Sequence, residues 1–249
     1  MKSKKETSIL NGKNCLITGS TGGLGSELSM LFAKMGMNVF LTSTKKQSLS
    51  KLQKKIIKDT DNRNISYKSA DLTKLSDIKQ LIKQVRKDFG TIDILLNCAG
   101  IFSQKLMLSS SLDEFEDTFA VNVKAPYILC NEFGNDMVKK KWGRIVNIGS
   151  SAAYNGVANQ SIYCSTKYAL RGLSSSIVQE LKKSNVRVFF VSPGTIQTKM
   201  GKKVINSHKS WKYETLIQPS EIAKFILDLI QYDNQLFVED VRVGRIRNW

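Results

Sequence analysis

Short apolar runs alternate along the chain with longer stretches in which apolar residues recur every three or four positions. Ile92-Asp93-Ile94-Leu95-Leu96 and Val186-Arg187-Val188-Phe189-Phe190-Val191 read as strands covered on both faces, whereas Leu28, Leu31, Phe32 and Met35 share one helical face. The pattern predicts strands over 14–18, 38–42, 65–70, 92–96, 144–149, 186–191 and 235–239. It predicts helices over 23–35, 46–58, 75–89, 111–140, 160–183 and 219–231. Strands regularly separated by helices require crossover connections, so the expected class is α/β: a doubly wound parallel sheet of about seven strands with helices on both faces. No repeat or linker interrupts the pattern, and residues 1–249 read as one domain. Ligands in such sheets bind at the carboxyl ends of the strands, and Gly19, Asn97, Ser150 and Pro193 all follow predicted strands at that edge.

Two segments bring chemistry to that edge. Thr18-Gly19-Ser20-Thr21-Gly22-Gly23-Leu24-Gly25 joins the first strand to the first helix. Its glycines permit a tight turn and a close approach of backbone N–H groups to a pyrophosphate at the positive end of the helix. The spacing is T-G-x-x-x-G-x-G, one residue longer between the first two glycines than the usual dinucleotide fingerprint. The second segment is Tyr163-Cys164-Ser165-Thr166-Lys167, thirteen residues after Ser150. On a helix Tyr163 and Lys167 lie one turn apart on the same face. An ammonium beside a phenol favours the phenolate, so Lys167 is expected to lower the Tyr163 pKa toward working pH.

Together these segments resemble the short-chain dehydrogenase/reductase family, over nearly the whole chain. Asp71-Leu72, Asn97-Cys98-Ala99-Gly100 (with Cys98 where the family has a second Asn), Asn122, Ser150, and Pro193-Gly194 with Thr195 and Thr198 follow in the family's order. The resemblance implies a Rossmann-type fold and hydride exchange between a nicotinamide and a carbonyl or secondary alcohol. It implies Tyr163 as general acid/base, Ser150 polarising the carbonyl, Lys167 tuning Tyr163 and holding the ribose, and Asn122 in a water relay. Ser150, not Ser151, has the family's spacing to the tyrosine. The cofactor-binding set it implies is Gly19, Ser20, Thr21, Gly23, Leu24 and Gly25, then Ser43, Thr44, Lys45, Asp71, Leu72, Asn97, Ala99 and Gly100. Tyr163, Lys167, Pro193, Gly194, Ile196 and Thr198 complete it. Relatives form dimers or tetramers through the two long helices, so a homodimer or homotetramer is expected.

Composition then narrows the alternatives. The net charge of +17 comes from dispersed lysines without interleaved aromatics, which argues against nucleic acid as a partner. No apolar run approaches the roughly 20 residues of a membrane helix. Met1–Thr7 is charged and lacks a signal peptide's apolar stretch, and the four dispersed cysteines read as reduced thiols, which together point to the cytoplasm. No metal cluster, P-loop or G-x-S-x-G elbow is visible, and the lone histidine, His208, reads as a loop residue.

After the second strand, Leu41-Thr42-Ser43-Thr44-Lys45-Lys46 carries no carboxylate to meet ribose hydroxyls, so NADP(H) is favoured over NAD(H), although Gly22 stands where NADP-using relatives often carry a cation. The substrate is expected to be a small carbonyl or alcohol, most nameably a 3-oxoacyl thioester, free or on an acidic acyl-carrier protein. The carboxyl-terminal stretch from Gln235 departs from the glycine-rich end of 3-oxoacyl reductases and looks more like that of sugar or polyol dehydrogenases. Residues 195–218 are expected to form a substrate lid, with Trp211 as a packed anchor or a substrate contact. A cofactor-binding regulator without turnover is the alternative of another class.

Overall fold

The computed structural model describes residues 8–205 and 212–245. Its strands are β1 (Asn14–Thr18), β2 (Asn38–Ser43), β3 (Ile65–Ser69), β4 (Ile94–Asn97), β5 (Gly143–Ile148), β6 (Val186–Pro193) and β7 (Asp240–Val243). They form one sheet in the order β3-β2-β1-β4-β5-β6-β7, with every neighbouring pair parallel. The helices are α1 (Gly23–Lys34), α2 (Lys46–Thr60), α3 (Leu75–Phe89), α4 (Leu112–Phe119), α5 (Ala125–Lys140), α6 (Ser161–Leu181), α7 (Lys199–Ile205) and α8 (Pro219–Gln231). This is the Rossmann-type doubly wound arrangement that the sequence pattern predicts.

The two-residue period of the strands sorts the core into two layers. Cys15 and Ile17 of β1 pack with Leu28 of α1, Ile56 of α2 and Ile226 of α8. Leu16 between them packs on the other face, with Leu81 of α3, Phe133 of α5 and Val178 of α6. Each such buried side chain contributes about 1.5–3 kcal/mol relative to exposure, which makes the strand register hard to shift. The order reverses between β1 and β4, opening a crevice at their carboxyl ends.

Two predicted elements differ from the structure. The helix expected over 111–140 is α4 and α5 joined by a π turn over Ala120–Lys124. Pro126 has no N–H for the carbonyl of Asn122, so a regular α-helix cannot run through this point, and the Ala125 N–H instead bonds back to Ala120. The strand expected over 235–239 begins five residues later, at Asp240. Arg187 takes the carbonyls of Tyr232, Asn234 and Leu236, and Phe237 packs edge-on against Phe189, 5.6 Å between ring centres. The 236–238 stretch is therefore a loop in which Phe237 packs inward while Leu236 and Val238 stay exposed. Trp211, His208 and Met1–Thr7 lie outside the described residues.

Arg144, at the amino end of β5, is fully buried. Its guanidinium donates to the carbonyls of Ile230, Gly143, Asn185 and Tyr232 and to the Asp233 carboxylate at 2.7 Å. It also lies over the Trp142 ring at 4.4 Å. It closes the end of α8 at the sheet edge opposite Ser150. Replacing it with methionine leaves those carbonyls unpaired, so Arg144→Met should lower stability by about 3 kcal/mol, read as a fall in denaturation midpoint at unchanged slope.

Candidate active site

The carboxyl edge of the sheet is shaped first by backbone constraints. Gly19 adopts a left-handed φ of 64°, and a Cβ there would lie 2.7 Å from the Ala99 Cα. A Cβ on Gly25 would lie 2.2 Å from the Gly19 carbonyl oxygen. The loop between them therefore folds flat upon itself, which only glycine permits. Ser20 is tied to the carbonyl of Thr42 by its N–H and its hydroxyl, and the Thr21 hydroxyl donates to Ser43 at 2.9 Å. The first turn of α1 has no side-chain cap and no acidic residue, which leaves its N–H groups and positive end open to an anion.

A cavity of about 340 Å³ opens beside this loop, between the ends of β4, β5 and β6 and the start of α6. Ser150, Tyr163 and Lys167 line it together with Ala99, Gly100, Pro193, Gly194, Ile196 and Thr198. Lys167 is almost wholly buried, and its ammonium donates to the Ile148 carbonyl at 2.7 Å. Burial pushes its pKa down to about 8. Tyr163 lies one turn earlier on α6, against the Phe102 ring at 5.0 Å, with its phenol on the Ser150 side of the cavity. The Ser150 hydroxyl also accepts the Ala152 N–H at 3.2 Å, which fixes the turn that carries it.

The electrostatic expectation for the pair needs correction. Burial pushes the Tyr163 phenol up to about 12, and the nearby Ser150 hydroxyl opposes that rise only in part. Lys167 does not outweigh that rise, because its ammonium donates to the Ile148 carbonyl and sits 5.6 Å from the tyrosine ring centre. Desolvation therefore outweighs the i,i+4 charge effect that the spacing suggests.

The remaining expected residues divide by location. Gly23 touches Thr198, where a Cβ would come within 2.5 Å of its methyl group, so the glycine loop and the segment after β6 are in direct contact. Leu24 is buried at the start of α1, and Thr44 and Lys45 are exposed at the start of α2. The Asp71 carboxylate is held by the Thr73 hydroxyl and N–H, which keep its pKa low, and Leu72 is in the core. The Asn97 side chain is not brought into the cavity: it donates to Asn147 at 2.8 Å, within a buried chain that continues to Ser174. Asn122 is also outside the lining. Its amide donates to the Ile101 carbonyl and the Thr166 hydroxyl and accepts the Ile101 N–H, joining the π turn to α6.

Sequence reasoning missed several residues of the site. The Thr18 hydroxyl accepts the N–H groups of Cys98 and Ala99, both at 3.0 Å, and so pins the end of β4 to β1. Its place at the head of the glycine loop was the available signal. Phe102, Val157, Gln160, Met200 and Val204 line the cavity, but none belongs to a motif. Among the described residues no cluster able to hold a metal occurs, and no helix is long and apolar enough to cross a membrane.

A family model described as short chain dehydrogenase matches residues 13–209. An uncharacterized oxidoreductase of Staphylococcus saprophyticus is 32% identical over 222 residues, covering 86% of this chain and 88% of its own. The 3-oxoacyl-[acyl-carrier-protein] reductase FabG of Aquifex aeolicus is 32% identical over 228 residues, covering 88% and 90%. A metagenomic short-chain oxidoreductase solved in complex with NADP superposes with a TM-score of 0.82 at 28% identity, over 95% of this chain and 98% of that one.

The buried lysine makes stability depend on pH. Its folded pKa of about 8 lies below the ordinary lysine value of 10.5, so between those values the unfolded chain binds more protons and the native state gains stability as pH rises. Lys167→Met removes this contribution. The denaturation midpoint of the wild type should rise relative to that of the variant as pH is raised from about 8 to 10. A difference that stays constant over that range would show that Lys167 is not a buried, depressed cation.

Proposed function

The chain belongs to the short-chain dehydrogenase family, and from that premise we propose that it is an NADP(H)-dependent reductase converting a ketone to a secondary alcohol. The observation that carries this reading is the convergence of Ser150, Tyr163 and Lys167 on one cavity beside the glycine loop. The residues present suit a nicotinamide dinucleotide. The flat Gly19–Gly25 turn, with Ser20, Thr21, Gly23 and Leu24, and the uncapped start of α1 would hold the pyrophosphate. Ser43, Thr44 and Lys45 would take a 2′-phosphate, and no carboxylate is near them in the chain to repel it. Asp71 and Leu72 would flank the adenine, with Asn97 acting only through its backbone. Ala99, Gly100, Pro193, Gly194, Ile196 and Thr198 would enclose the nicotinamide half, and Lys167 would hold the ribose hydroxyls. Bound in its reduced form, the nicotinamide supplies a hydride.

The protein's own groups handle the oxygen and the proton. As negative charge grows on the carbonyl oxygen, the Ser150 hydroxyl and the Tyr163 phenol donate hydrogen bonds to it. A phenol pushed up to about 12 is fully protonated at neutral pH, and a developing alkoxide is a stronger base, so the proton passes from Tyr163 to the substrate oxygen. The Lys167 ammonium stabilises the phenolate left behind. Asn122 joins the relay that reprotonates it; its amide hydrogens are spent on Ile101 and Thr166, so a relay water must use its remaining acceptor sites.

The apolar wall formed by Phe102, Ala152, Val157, Met200 and Val204 favours an acyl chain over a polyol, and a 3-oxoacyl thioester is the substrate we name. The +17 charge suits delivery on an acidic carrier protein. Exposed apolar residues on α5 and α6, Tyr127 and Tyr168, support assembly into a homodimer or homotetramer. Four free cysteines accord with a reducing cytoplasm.

Wild-type protein with an acetoacetyl thioester should oxidise NADPH faster than NADH. Tyr163→Phe should lose roughly 10²- to 10⁴-fold in kcat while still binding NADPH. Thioester turnover that persists in the variant would overturn the role of Tyr163; no turnover by wild type would overturn the substrate.

A further inference from the structure

A polar cluster outside the cavity joins the last strand to both catalytic segments. Asp240, the first residue of β7, accepts the Tyr154 phenol on one carboxylate oxygen and the Arg171 guanidinium at 2.7 Å on the other. Arg171 and Arg242 both lie over the Tyr154 ring, at 4.2 and 4.4 Å from its centre. These contacts connect three elements that share no backbone hydrogen bonds with one another at this point.

The position of the partners gives the cluster its meaning. Tyr154 ends the short turn that starts at Ser150; along it the Ala153 N–H donates to the Ser150 carbonyl and the Tyr154 N–H to the Ser151 carbonyl. Arg171 sits on α6 one turn beyond Lys167 and two beyond Tyr163. Asp240 therefore bridges the serine turn to the helix bearing the tyrosine and lysine. Beneath it, Ala153, Leu170 and Phe190 form a small buried cluster flanked by Tyr154 and Leu173, so the turn rests on α6 and β6. The turn is short and internally hydrogen-bonded from Ser150 to Tyr154, so the two side chains are tied to one another through it.

Resting on the reductase reading, we propose that Asp240 is a positioning residue: by holding Tyr154 and Arg171 together, it sets the placement of the Ser150 hydroxyl relative to Tyr163. Asp240 and Arg171 are partly exposed, with side-chain accessibilities of 33% and 42%, so as an ion pair they add little to global stability. The effect is local geometry. It also gives a role to the carboxyl-terminal segment in which this chain departs from its reductase relatives. Asp240 does not line the cavity.

The test is Asp240→Ala, with Arg171→Met as a second variant that keeps most of the side-chain volume. Each is read by steady-state kinetics, NADPH affinity and hydrogen–deuterium exchange. Both variants should lower kcat roughly tenfold or more, because small misplacements of reacting groups are costly, while NADPH affinity stays within about twofold. Exchange should rise over 149–156, and not over β1, α1 and β2. Asp240→Asn retains an acceptor for only one of the two partners and should fall between Ala and wild type. Unchanged exchange over 149–156, or raised exchange with unchanged kcat, overturns the proposal. So does an activity loss that only follows the loss of folded protein. If the wild type reduces no carbonyl substrate, the reductase reading fails by itself, and the exchange result alone supports or overturns the tether.

Discussion

A single buried ammonium organises the candidate site. Lys167 is taken out of water on α6 and given the carbonyl of Ile148, at the end of β5, as its hydrogen-bond partner. Leaving that charge unpaired in an apolar setting would cost several kcal/mol, so helix and strand end are held at a fixed approach. Everything else in the cavity follows from it. Tyr163, one turn earlier, is brought against Ser150, which leaves β5 two residues after Ile148. The same burial that depresses the lysine raises the tyrosine. The result is a protonated phenol near a cation of modest pKa, a combination suited to giving up a proton to a stronger base.

Around that contact, the carboxyl edge of the sheet is stiffened by polar side chains directed at backbone. Thr18 gathers the N–H groups after β4, Asn122 clasps Ile101, and Asn147 bridges Asn97 to Ser174. Buried networks of this kind are stable only when nearly every member is satisfied, and they restrict the ways the strands and helices can meet. Of the buried side-chain nitrogen and oxygen atoms among the described residues, only Asn97 Oδ1 and Ser192 Oγ lack a hydrogen-bond partner. The glycine loop is held by the close backbone packing of Gly19 and Gly25 together with the Ser20 and Thr21 hydroxyl bonds to β2.

Much of this was legible in the sequence wherever the determining physics is local. A two-residue apolar period sets which face of β1 meets which helices, and the i,i+4 spacing places Tyr163 and Lys167 on one side of α6. Readings failed where a distant partner decides. Residues 236–238 satisfy a strand pattern, yet Arg187 takes the nearby carbonyls and pairing starts at Asp240. The 111–140 stretch has helical apolar spacing throughout, yet Pro126 leaves the Asn122 carbonyl four residues back without a donor. The direction of the Tyr163 shift was misread because adjacency along a helix is visible in a sequence and desolvation is not. Phe102 and Met200 belong to no motif and reach the cavity only through the fold.

The claim that Ser150 and Tyr163 act on one substrate oxygen is tested most directly by a crystal structure with NADP⁺ and a 3-hydroxyacyl thioester. The account predicts the substrate hydroxyl oxygen within about 2.6–3.2 Å of both the Ser150 Oγ and the Tyr163 phenol, with the acyl chain along Phe102 and Met200. A hydroxyl bound away from either group, with the thioester lodged elsewhere on the protein, would contradict it.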